Sequence, residues 1–151
     1  MRPRDLLMFL QTCVQVALNR SHSRITADDI LQAEKAYSLE QLFQTASEVE
    51  NTHPELAGAM LDFQGRTARL TPDEVAQVLR NAGIHDDIDA AIEMLVWFGF
   101  LGVSGQGTGE DAFSHSDSVQ FNMPKLMRPI RGGRGSYVVH PAFHRALGIQ
   151  D

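Results

Sequence analysis

Between Leu6 and Asn19 no position is charged, and the polar residues Gln11, Gln15 and Asn19 recur every four residues. That period predicts a helix with one narrow polar stripe, apolar enough elsewhere that other elements must cover it. Pro3 suits the first turn, where its missing N–H has no partner to lose. Thr26 followed by Ala27-Asp28-Asp29 predicts a second start, with a capping residue and acidic groups at the positive end of the helix dipole. Ser38 with Gln41 has capping-box spacing and predicts a separate helix carrying Leu39, Leu42, Phe43, Ala46 and Val49. Similar starts at Thr52-His53-Pro54-Glu55 and Thr71-Pro72-Asp73-Glu74 predict helices ending near Phe63 and before Gly83. A further helix begins at Asp86 or Asp87, carries Ile88, Ala91, Ile92, Leu95 and Val96, and stops at Gly99.

After Gly99 the period changes. Phe100 to Val103 predicts a strand, and "SGQGTGEDAFSHSD" a loop. Ser118 to Met123 predicts a second strand with Val119, Phe121 and Met123 on one face. "PKLMRPIRGGRG" reads as another loop, Ser136 to Val139 as a short strand, and Pro141 opens a last helical turn through Phe143 and Leu147. The expected fold is mainly α with a small β-hairpin, an α+β class. Residues 1–51 form a helical, lid-like subdomain. Residues 52–151 follow the order of a winged helix, a helix-turn-helix with a hairpin appended.

Charge divides the last third of the chain. The whole carries a net charge of -6 over 151 residues, which argues mildly against a general nucleic-acid binder. Residues 81–123 include Asp86, Asp87, Asp89 and Glu93 and no Lys or Arg. Residues 124–151 carry Lys125, Arg128, Arg131, Arg134 and Arg145 against Asp151. The recognition-position helix, 86–98, would repel DNA phosphates, whereas the 125–134 segment suits them. Cys13 is the single cysteine, so no intrachain disulfide forms and a reduced, cytoplasmic setting is expected. No apolar run is long enough to span a membrane.

Candidate chemistry is sparse. "GVSGQGTGED" has glycines but lacks the lysine and following helix of a phosphate-binding loop. His140 and His144 stand four apart without an evident third ligand, and Cys13 reads as a small packed hydrophobe. No catalytic residue and no metal site is expected. Two features are harder to explain as packing or solvation. Arg2 and Arg4 crowd the positive end of a helix, where an external anion would relieve them. Trp97, Phe98 and Phe100 put a large aromatic surface at the turn from helix to wing.

Together "RPRDLLMFL", "RITADDILQA", "YSLEQLFQTASEVENTHPELAGAMLDF" and "SYVVHPAFHRALGI" resemble the C-terminal helical lid and winged helix of AAA-type or STAND-like bacterial P-loop ATPases. The resemblance implies that Arg4, with Arg2 second, senses the nucleotide's γ-phosphate, and that ATP and magnesium belong to an upstream core absent from this chain. It implies a non-catalytic regulatory module that docks on its own ATPase core or on another protein subunit, with Asp86, Asp87, Asp89, Glu93 and Trp97 as contact candidates. The alternative is a DNA-binding winged helix, or a free-standing transcriptional regulator, using Lys125, Arg128, Arg131 and Arg134.

Overall fold

The computed structural model describes residues 3–105, 110–114 and 122–150. Arg2 and residues 118–121 of the expected second strand lie outside them. Two long helices open the chain, α1 (Pro3–Asn19) and α2 (Ala27–Glu50), followed by α3 (Pro54–Leu61). A short strand β1 (Arg69–Leu70) leads into α4 (Pro72–Asn81) and α5 (Ile88–Trp97). Strands β2 (Leu101–Gly105) and β3 (Asp111–Ala112) follow. Two helical turns, α6 (Met123–Leu126) and α7 (Arg128–Arg131), precede β4 (Gly135–Val139). A 3-10 turn at Pro141–Phe143 and α8 (His144–Leu147) end the described chain. The protein is therefore mainly helical with one four-stranded antiparallel sheet, ordered β1-β4-β2-β3.

Local chemistry accounts for the helix starts. The Thr26 hydroxyl accepts from the Asp29 N–H at 3.2 Å, while the Asp29 carboxylate accepts from the Thr26 N–H at 2.9 Å. Thr71 and Glu74 repeat this reciprocal cap on α4. Asp87, not Asp86, caps α5. Its backbone is left-handed at φ 45°, a conformation aspartate tolerates, and its side chain accepts from the Ala90 N–H.

The core lies between α2, α3, α4, α5 and one face of the sheet. Leu70, Tyr137 and Val103 form one cross-strand row, with Leu101 and Val139 paired beside it, all buried. Phe100 meets both Phe63 and Phe143 with ring centroids 5.2 Å apart.

Three elements differ from the expected pattern. The capping-box spacing at Ser38 does not start a helix, because α2 runs unbroken through it for 24 residues. The Ser38 hydroxyl instead donates to the Ala142 carbonyl at 2.6 Å and accepts from the Ala146 N–H at 2.9 Å. It ties the middle of α2 to the C-terminal segment, a pairing more than a hundred residues distant that no local pattern could reveal. The expected loop through 125–134 holds two helical turns as far as Arg131. Asn122 caps α6, and Gly135 lets α7 lie against the sheet, since a Cβ there would come within 2.8 Å of Pro129. Met123, expected at the end of a strand, opens α6. Inside the stretch read as loop, β3 pairs with β2 at Val103↔Ala112 and Ser104↔Asp111.

Candidate interaction surfaces

Helix α1 packs chiefly on α2, and α2 in turn packs on α3, α8 and the 3-10 turn. Cys13 and Ala17 are buried in that first contact, and Phe9 meets Tyr37 edge-on at 5.8 Å. Burial raises the Cys13 thiol pKa. The turn between the two helices is held by Asp29, which is fully buried. Its carboxylate receives His22 Nδ1 at 2.8 Å, Arg20 at 3.0 Å and the Thr26 N–H. The hydrogen bond from His22, more than any other contact, holds Asp29 well below the usual carboxylate range, with the Thr26 bonds adding to it and burial opposing. Arg20 also pairs with Asp28.

The expectation that α1 would be covered on its apolar faces is overturned. Leu6, Leu7, Leu10, Val14 and Leu18 remain 47–63% exposed, whereas Cys13 and Ala17 are buried. The uncharged stretch thus presents a continuous apolar stripe edged by Gln11, Gln15 and Asn19. At the start of the helix Arg4 is exposed. No other Lys or Arg lies on α1.

At the other end of the molecule, Asp86, Asp87 and Asp89 are exposed and Glu93 is half-buried on α5. The sequence separates this acidic helix from the basic segment 125–134, but the fold joins them. Arg131 reaches Glu93 at 3.4 Å, and Tyr137 lies beneath both. Burial, with Asp89 and Glu93 nearby, pushes the Tyr137 hydroxyl up to about 12. Arg131 thus pairs with α5 while remaining exposed, as are Lys125, Arg128 and Arg134. Trp97 is half exposed at the end of α5, whereas Phe98 packs against the core.

Sequence reasoning did not single out Arg69. From β1 it donates to Ser104 on β2 and pairs with Asp111 on β3 at 3.1 Å, so one side chain fastens the sheet's far edge. His140 and His144 are used by the backbone: His140 Nδ1 accepts from the Ala142 N–H, and His144 Nε2 lies 2.7 Å from the Val139 carbonyl. Among the described residues, no group of three or more His, Cys, Asp or Glu could hold a metal, and no helix is long and apolar enough to cross a membrane.

The exposed stripe and its packing partner fall in the part of the chain that a known family describes. Residues 1–46 are similar to a FunZ-associated C-terminal helical domain. The matched span runs through α1 and most of α2, including every residue of the stripe. It fits a C-terminal helical module of a larger protein. No curated protein and no solved structure matches the chain.

Proposed function

We propose that this chain is a non-catalytic accessory module that docks on protein, either on another domain of a longer chain or on a neighbouring subunit. The observation that carries the reading is the stripe on α1, a contiguous exposed apolar surface of the kind that is often functional. In the fuller form of the proposal the longer protein is a P-loop ATPase of the AAA or STAND kind. Residues 1–51 then serve as its helical lid and 52–151 as a winged helix. The winged-helix part is supported by the order α3, β1, α4, α5, β2 and by the return of β4 between β1 and β2. ATP and magnesium would be held by the ATPase core, in the cytoplasm, with Arg4 and Arg2 turned toward the γ-phosphate. Asp86, Asp87, Asp89, Glu93 and Trp97 offer a second, acidic contact surface.

The DNA-binding alternative has less support. Arg131 of its basic segment pairs with Glu93, and Asp86 and Asp87 before α5 with Asp89 and Glu93 on it oppose phosphates. Lys125, Arg128 and Arg134 remain available to it. The two readings separate by mutation. In the longer protein, Leu7→Asp with Leu18→Asp should free the module, read as faster proteolysis of the α1–α2 turn. Changing Lys125, Arg128 and Arg134 to Gln should leave the module docked. Tight duplex binding at physiological salt, abolished by the three Gln changes and untouched by the α1 pair, would overturn docking in favour of DNA.

A further inference from the structure

The stripe on α1 has an internal symmetry. Leu6, Leu10, Val14 and Leu18 are spaced by four, forming a single ridge of the kind that packs into the groove of a second helix. The ridge is also self-complementary. Reversed about the level of Thr12, Leu6 takes the place of Leu18 and Leu10 that of Val14, so an antiparallel copy sets leucine against leucine and leucine against valine. From Leu6 to Asn19 there is no charge, so a second copy could approach without burying an ion or meeting its own charge. Leu7 adds apolar surface beside the ridge, and Gln11 and Gln15 supply a polar rim.

We propose that the occupant of this stripe is α1 of a second copy of the chain, paired antiparallel about a two-fold axis near Thr12. The proposal rests on the docking reading above and names its partner. A two-fold contact uses the same patch twice and needs that patch to match itself reversed, which this ridge does. The five exposed side chains offer roughly 300–600 Å² of apolar surface per copy, the size of patch that marks an interaction site. The two copies together would bury on the order of 600–1,200 Å², the size of weak, transient interfaces, so a reversible dimer is expected. At each end the Arg4 of one copy approaches the Arg20 of the other. Arg20 is already paired with Asp28 and Asp29, which limits the repulsion.

Sedimentation velocity on this chain from about 1 to about 500 µM tests the pairing. The parent should pass from monomer to dimer and no further. Leu10→Glu and Val14→Lys, both at exposed positions where circular dichroism can confirm retained helix, should each raise the dissociation constant about a hundredfold or more by burying an unpaired charge. Mixed one to one, the two variants should dimerise again, because the antiparallel register sets Glu at 10 against Lys at 14. A parent that stays monomeric throughout overturns self-pairing, as does a dimer indifferent to both variants or a mixture that fails to re-form. Monomers that partition through α1 into vesicles of neutral and anionic phospholipid also overturn it. The docking reading fails separately. It survives a monomeric chain whose stripe is covered by another domain in the longer protein, and falls if the stripe stays open there.

Discussion

At the scale of single residues, Asp29 shows how a sequence signal can be read correctly and still understated. Its place three residues after Thr26 announces a helix cap, and the reciprocal cap is present. What the spacing could not show is that the same carboxylate is buried, and that Arg20 and His22 from the end of α1 converge on it. A depressed folded-state pKa means that ionised Asp29 stabilises the fold fully above the unfolded aspartate value, near 4, and progressively less as pH falls through the folded value below it. Asp29→Asn should therefore weaken the fold at neutral pH. The deficit relative to the parent should shrink as the solution is acidified below about pH 4. Urea titrations of both proteins between pH 7 and pH 3 check this, and a constant gap would show that the carboxylate's charge does not matter. Arg131 offers the same lesson about distance. Composition places it in a basic run, whereas the fold places it on Glu93.

At the scale of elements, helices and strands with their own punctuation were legible. Thr71 to Glu74, the stop at Gly83, the apolar period of α5 and the strand at Gly135–Val139 lie where their residues indicate. Failures came where a tertiary contact outweighed a local pattern. Ser38 has the spacing of a helix start, yet its hydroxyl serves a C-terminal segment that α2 must pass unbroken to reach. The turns α6 and α7 hid in a glycine- and proline-rich run because proline suits a first helical turn as well as a loop. Ser38→Ala should leave the part-buried Ala142 carbonyl and Ala146 N–H without this partner and cost about 1–3 kcal/mol. Amide exchange at residues 142–147 should accelerate more than exchange in α4 or α5. Equal acceleration everywhere would mean that Ser38 does not act through the C-terminal segment.

The whole molecule is a helical and sheet core with a two-helix arm whose outer helix is only half covered. Its most informative sequence feature, the uncharged run from Leu6 to Asn19, was read as a demand for burial. In the structure α2 buries Cys13 and Ala17 and leaves Leu6, Leu7, Leu10, Val14 and Leu18 exposed. The span similar to a FunZ-associated C-terminal helical domain covers this arm, and the acidic and basic surfaces of the sheet end lie beyond it. The most direct test is the labelling rate of a thiol placed on the stripe, Leu7→Cys with Cys13→Ala, in the dilute isolated chain and within the longer protein at the same concentration. Docking predicts labelling at least about tenfold slower in the longer protein, the ratio reporting how seldom the stripe is open. Equal rates in the two would contradict the account.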